Sequence, residues 1–485
     1  MRVMKYYVML VFGWLLLVNI CLADNSTIPC PADCGNTCKY DIQGEIITAK
    51  CKDSTIQQLP NSLVTLHVYD LKDTLKMPLG KFPEFVLMGK VNLTSLKIEN
   101  YQLTSLESSC FQKSPNLERL DLSRNALQQI SKDSFSGLTN LSYLNLNENA
   151  LQSLGDNLFR QLPSLVELYI SRNKLVSIGD QDFSGLNNIA KIVLQANQIS
   201  SINRLAFHNL STVEDINLQE NHLTSVDKGL FTNLPNLANL NLQQNDIRIL
   251  DPEAMQGTRN LVMLKLADNM IPTLPTVLLL QICNPALIVS LSINDITELP
   301  DGAFENIVLQ GLSLSNNNIS LIGPDVLRDS DIAMLDLRGN ALTHIPADLV
   351  DDVKTTAKIM LRDNPWSCDC DIQSVASLIG ITDEKLVCHS PKNYSGFLIS
   401  NVTQELNETC NWQTTDGDVE KGSHSVDVGV IVGSVVGAMA LIGGITALVL
   451  KCCVLSRKVA PTDKDEEDCE GQNTKNDVVS SVNMT

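Results

Sequence analysis

From Leu117 onward the chain repeats one short pattern of apolar and polar positions. Leu117 to Leu127 reads LERLDLSRNAL, and 24 residues later Leu141 to Leu151 reads LSYLNLNENAL. The pattern returns as LVELYISRNKL from Leu165, IAKIVLQANQI from Ile189, VEDINLQENHL from Val213, LANLNLQQNDI from Leu237 and LVMLKLADNMI from Leu261. At its centre apolar residues alternate with polar ones, the period of a strand rather than the 3.6 of a helix. A strand this short cannot bury its leucines alone, so successive coils are expected to stack in parallel and share one core. Asparagines at 125, 149, 173, 197, 221, 245 and 269 keep the phase. They follow the strand, where the chain turns inward and carries backbone groups into the interior. A side chain with both a donor and an acceptor can satisfy those groups. Phe135, Phe159, Phe183, Phe207 and Phe231 recur ten residues after an asparagine and are predicted to fill the wider, convex side.

The motif L-x-x-L-x-L-x-x-N-x-L resembles the leucine-rich repeat. The resemblance implies an α/β solenoid, a leucine-rich-repeat horseshoe with a parallel β-sheet on its concave face. Leu93 to Leu103 fits with Tyr101 in place of the asparagine, and Leu63 to Val68 looks like a first repeat. Leu309 to Ile319, Ile332 to Leu342 and a coil ending at Asn364 continue the series, giving about 11 or 12 repeats in residues 63–364. Between Asn269 and Asn317 the register is expected to break. Residues 272–296 hold Pro272, Pro275, Cys283 and Pro285, and LSINDI reads two residues short of the motif. That irregular coil is either a degenerate structural turn or a functional loop.

Hydropathy at the two ends predicts a membrane topology. Residues 1–23 have the parts of a signal peptide: Arg2 and Lys5, then an apolar run from Val8 to Val18, then Cys21-Leu22-Ala23 before Asp24. Val428 to Leu450 is 23 residues without a charge, long enough to span a bilayer as a helix. Lys451, Arg457 and Lys458 follow it, so the positive-inside rule predicts a single-pass type I protein of the plasma membrane with an extracellular N-terminus. Residues 412–427 read as a juxtamembrane stalk and 451–485, with the acidic run Asp463 to Glu470, as a disordered cytoplasmic tail. Gly429, Gly433 and Gly437 share one helical face and offer a homodimer contact. Cys452 and Cys453 are palmitoylation candidates. The Asn-x-Ser/Thr sequons at Asn25, Asn92, Asn140, Asn209, Asn318, Asn393, Asn401 and Asn407 fall on the expected outer side.

The cysteines bracket the repeats. Cys30, Cys34, Cys38 and Cys51 fall in residues 24–62, and Cys368, Cys370, Cys388 and Cys410 in residues 365–411. A solenoid exposes apolar core at both ends and needs caps, and small secreted caps are commonly stapled by disulfides. Spacing alone leaves three pairings per cap. A zinc site is the competing reading, which secretion and the absence of paired histidines disfavour. CPADCGNTC and NPWSCDC resemble the flanking modules of extracellular leucine-rich-repeat proteins, the group that includes Slit, Toll ectodomains, platelet glycoprotein receptors, variable lymphocyte receptors and small neuronal synapse organisers. The first module departs from the group, with three residues between its second and third cysteines where one is usual. The resemblance implies the pairs Cys30–Cys38, Cys34–Cys51, Cys368–Cys388 and Cys370–Cys410. Cys110 and Cys283 lie about seven coils apart, roughly 35 Å along the stack, too far to bridge each other. They read as buried thiols, with an intermolecular bridge through Cys283 as the lesser alternative.

Composition follows from this architecture: 71 leucines and 43 asparagines in 485 residues, with only 5% aromatic residues. A net charge of −19 gives no footprint for phosphate backbones, so no nucleic acid is expected. The six histidines are scattered, and HExxH, GxSxG and GxxxxGK[ST] motifs are absent from the sequence. No enzymatic activity, metal or cofactor is expected. The outward positions of the strands are the candidate ligand surface. Coils two to four present Arg119, Asp121, Arg124, Tyr143, Glu148, Glu167, Tyr169 and Arg172 there, and arginine and tyrosine are enriched at interface hot spots. The expected function is a cell-surface receptor or adhesion molecule that binds an extracellular protein ligand or a membrane co-receptor. The alternatives are an auxiliary subunit of another membrane protein and an innate-immune pattern-recognition co-receptor.

Overall fold

In the computed structural model each Leu-x-Leu triad becomes one strand of a single 16-stranded sheet. The structure describes residues 92–106, 108–282, 284–350, 358–379 and 385–410, with the backbone of the strands Ile28–Pro29, Cys38–Gln43, Ile46–Cys51, Thr65–Tyr69 and Lys81–Phe82. From Ile46–Cys51 onward the strands are parallel, and those of the repeats are unshifted: Glu167 pairs with Lys191 as Tyr143 pairs with Glu167. In Tyr143–Asn145 and Glu167–Tyr169 the central leucine is buried and its neighbours face out. This is the period-two reading of the sequence, with the sheet lining the inner face of a leucine-rich-repeat horseshoe. Burying each leucine removes it from water at about 1.5–3 kcal/mol.

The asparagines act as the inward turn requires. Asn149 Oδ1 accepts the Leu127 N–H at 3.1 Å, and its Nδ2 donates to the Leu122 and Leu146 carbonyls at 3.0 Å. Every coil is thereby bonded to the one before it. The same bonds recur down to Asn364, which serves the Leu342 N–H and the Leu337 and Leu361 carbonyls. On the opposite side Phe111, Phe135, Phe159, Phe183, Phe207 and Phe231 are buried, with stacked neighbours such as Phe111–Phe135 and Phe207–Phe231 6.4 and 5.4 Å apart.

The irregular coil corrects the sequence reading. LSINDI is not two residues short: Val289, Leu291, Asn294 and Ile296 take the motif positions, and Ile271 N–H bonds Asn294 Oδ1 at 2.9 Å. The step from Asn269 to Asn294 is 25 residues and the next, to Asn317, is 23. The ladder absorbs an insertion and a deletion without breaking. Pro275 stands immediately before a short helix, Thr276–Ile282, whose Leu278, Leu279 and Ile282 fill the space that a phenylalanine fills elsewhere. Proline tolerates the start of a helix because the amide it lacks would be unpaired there anyway. Pro272 and Pro275 therefore introduce a helix.

At the C-terminal end Cys368 bridges Cys388 and Cys370 bridges Cys410, as the resemblance implies. The helix Ile399–Cys410 closes over the last coil with Ile399, Val402 and Leu406 buried. At the other end Ile28–Pro29 forms the edge of the sheet beside the hairpin Cys38–Gln43/Ile46–Cys51, whose second strand pairs in parallel with Thr65–Tyr69. The implied Cys30–Cys38 and Cys34–Cys51 bridges, and Cys283, lie outside the described residues. So do the 1–23 segment, Asn25, the 428–450 run with Gly429, Gly433 and Gly437, and Cys452 and Cys453. Among the described residues no helix is long and apolar enough to cross a membrane.

Candidate functional site

The 24-residue repeat with zero strand shift places outward residues of equal phase side by side. Arg119, Tyr143 and Glu167 fall in one column, and Lys97, Asp121, Asn145 and Tyr169 in the next. The Arg119 guanidinium lies 3.9 Å from the centre of the Tyr143 ring, and the Tyr143 and Tyr169 rings are 5.3 Å apart and tilted by 43°. Cation–π and aromatic contacts thus join three strands into one rigid strip. Tyr169 donates its hydroxyl to Glu167 at 2.7 Å. Burial first, then this bond, holds its phenol well above the usual range. Burial and the nearby Asp121 carboxylate push Tyr143 up as well. Both stay neutral hydrogen-bonding groups at any physiological pH.

Around the strip runs a set of ion pairs. Lys97 reaches Glu99 at 2.8 Å and Asp121 at 3.4 Å, while Arg124 reaches Glu99 at 2.8 Å and Glu148 at 3.3 Å. Burial pulls the Lys97 ammonium down, but Glu99 and Asp121 outweigh it and leave its pKa raised. The Glu148 carboxylate, with Glu99 beyond it, raises Arg124. Seven of the eight sequence-chosen residues, all except Arg172, therefore make contacts on this face: Arg119, Tyr143, Glu167 and Tyr169 in the strip, and Asp121, Arg124 and Glu148 in the ion-pair network. Arg172 is exposed and has no ion pair among the described residues. The sequence reading missed Lys97 and Glu99. Their signal was available, since they stand 24 and 25 residues before Asp121 and Arg124.

Two further features were also missed. At the C-terminal half of the same face Met263, Ile288, Gly311 and Met334 form an apolar column, with Ile288 39% and Met334 44% exposed. Among the described residues, His344, Asp369 and Asp371 bring metal-capable atoms within 4.8 Å of one another. There His344 Nε2 contacts Asp369 Oδ1 at 3.0 Å, the Asp371 N–H bonds the same oxygen at 3.0 Å, and Ser367 donates to the other at 2.7 Å. The carboxylate is consumed by these bonds, and the group acts as a clasp between the last coil and the cap.

A solenoid of this kind presents an extended concave surface over a ladder-bonded core. The family model of the leucine-rich repeat matches residues 91–151, 139–199, 187–247, 211–271 and 288–342. The chain belongs to the leucine-rich-repeat family. It is similar to leucine-rich repeat-containing protein 3 of Danio rerio, 32% identical over 136 residues that make up 26% of this chain and 50% of that protein. The chain thus spans half the length of that curated relative. Among solved structures it resembles the LRIM1/APL1C complex, with a TM-score of 0.56 at 17% identity over 86% of this chain and 75% of that one. The mouse RP105/MD-1 complex gives a TM-score of 0.54 at 21% identity over 70% of this chain and 62% of that one. At these identities the likeness establishes the fold.

Proposed function

We propose that the protein is a cell-surface receptor or adhesion molecule that binds an extracellular protein through the N-terminal third of its concave face. The observation that carries this reading is the Arg119–Tyr143–Tyr169 strip. Arginine and tyrosine dominate interface hot spots, and side chains already fixed by one another lose little entropy when a partner covers them. Both structural relatives are protein–protein complexes, which supports a protein partner here. The type I topology is supported by the 23 uncharged residues of 428–450, their basic C-terminal flank and the position of eight of the nine Asn-x-Ser/Thr sequons before them. The test displays the full chain on cells and probes it with a panel of tagged extracellular domains. Changing Arg119, Tyr143 and Tyr169 together to alanine is expected to weaken the captured partner by about a hundredfold or more, the loss of two or more hot-spot contacts. Unchanged binding of every captured domain to that variant, displayed at equal density, refutes the reading.

A further inference from the structure

Between the coils of Phe183 and Phe207 the outer side opens into a cleft of about 350 Å³, lined in part by Gln181, Ser184, Asn187, Leu205, His208 and Asn209. One left-handed position recurs in this column: Gly137 (φ 90°), Gly185 (φ 91°), Asn209 (φ 70°), Asn233 (φ 57°) and Gly257 (φ 89°). At Gly137 and Gly185 the preceding coil closes in until an added Cβ would stand 2.9 Å from Gln112 Cα and 2.6 Å from Arg160 Cα. Both neighbours lie 25 residues back, and the counterpart for Asn209 is Ser184. Asn209, like Asn233, carries a real Cβ and cannot take the close approach seen at Gly137 and Gly185, and at Asn209 the cleft lies alongside. Leu205 is left 46% exposed beside the gap.

Asn209 also begins the sequon Asn209-Leu210-Ser211. Its side chain is exposed, and its amide makes no hydrogen bond among the described residues. By contrast, the sequon amide of Asn140 is tied to the Pro115 carbonyl at 3.1 Å. We propose that Asn209 is N-glycosylated and that the first N-acetylglucosamine seats in this cleft, a reading that rests on the extracellular topology above. The attachment forms a bond from Asn209 Nδ2 to C1 of the sugar while the bond from C1 to a lipid pyrophosphate breaks. The amide gives up one proton and the pyrophosphate leaves. The apolar face of the sugar covers Leu205, and its acetamide and hydroxyls meet Gln181, Asn187 and His208. The volume is at the small end of the roughly 300–1,000 Å³ of ligand pockets and suits one sugar ring.

The test uses the full-length chain from cells restricted to high-mannose glycans. Glycopeptide mass spectrometry reads occupancy, and hydrogen exchange reads protection of residues 180–187. The glycan is left whole, trimmed by endoglycosidase H to one N-acetylglucosamine, or removed by peptide N-glycosidase; Ser211→Ala never carries it. Whole and trimmed forms are expected to exchange alike, and the stripped form and Ser211→Ala about tenfold faster in that segment. Equal exchange in all forms overturns the seating of the sugar, and an empty Asn209 beside occupied Asn92 or Asn318 overturns the site. If every sequon is empty, the extracellular topology fails along with this proposal.

Discussion

Asn197 illustrates what one residue does in this fold. Its Oδ1 accepts the Leu175 N–H at 3.2 Å, and its Nδ2 donates to the carbonyls of Ile170 at 3.0 Å and Leu194 at 2.9 Å. Alanine there would strand the buried Leu175 N–H and leave the Ile170 and Leu194 carbonyls with only the bonds from Asn173 and Asn221, a loss of about 1–3 kcal/mol for the stranded group and less for each weakened one. Asn197→Ala is therefore expected to speed hydrogen exchange in the coils of Leu175 and Leu194 by at least a hundredfold, about 2.7 kcal/mol of local stability. Asn188 provides the contrast: it is exposed and donates to the Pro163 carbonyl at 2.9 Å. Asn188→Ala should cost under about 1 kcal/mol, because water can replace that bond. Equal effects would contradict the ladder account. Next to the ladder lies a column that the sequence concealed. Arg124, Glu148, Arg172, Ala196 and Glu220 all hold φ of 54–55°, although left-handed backbone favours glycine. The ladder imposes this turn on whatever residue precedes the asparagine, so composition there carries no signal. Ile293, at φ 55° and 51% exposed, is the β-branched member and bears most strain. Ile293→Asn should stabilise its coil by about 1 kcal/mol in denaturant titration, and a loss of stability would show that the isoleucine packs more than its exposure suggests.

At the scale of the element, the fold depends on how closely coils approach and on how the stack ends. Gly185 and Gly155 both have positive φ, yet an added Cβ at Gly185 would stand 2.6 Å from backbone while at Gly155 nothing lies within 4 Å. Gly155→Ala should cost only the left-handed strain, about 1–2 kcal/mol, and Gly185→Ala clearly more. Similar melting shifts for the two would refute close approach as the reason for Gly185. At the C-terminal end the Asp369 carboxyl is buried in part, which raises its pKa. Bonds from Ser367 and His344 outweigh that and hold it below the usual carboxylate range. A depressed carboxylate contributes stability that is complete above its unfolded value, about 3.9, and is lost as pH falls through the folded one. Exchange in residues 367–371 should therefore accelerate below pH of about 4, and Asp369→Asn should remove that dependence. The elements themselves were legible in unequal degree. Period two and the fixed phase revealed the strands, but the helix Thr276–Ile282 was hidden: it is short, rich in leucine and sits where a phenylalanine was expected. The same insertion made the LSINDI coil read as broken, since a count from the preceding repeat falls one residue off while the ladder bonds do not.

For the whole molecule, the repeat converts sequence arithmetic into a surface. Because strands stack without shift, residues 24 apart become neighbours, and Arg119, Tyr143 and Tyr169 could be read from the sequence as one patch. That reading stopped one coil early. The coil of Lys97 and Glu99, with Tyr101 in place of the ladder asparagine, fits the repeat, but the chosen patch began at the next coil and so left out the residues that complete the ion-pair network. The apolar column of Ile288 and Met334 escaped notice for a different reason: isolated apolar residues in a leucine-rich chain look like core until strand register shows that they face outward. The concave face therefore has a charged aromatic end and an apolar end, with the polar Asn239 and Asn241 between them. The reading proposed here puts the partner on the first. The most direct measurement introduces a photocrosslinking amino acid singly at Tyr143, Asn239, Ile288 and the outer-side Leu321 of the full chain on living cells. The account predicts one discrete protein adduct at position 143 and none at 321, while an adduct at 288 or 321 with none at 143 would contradict it.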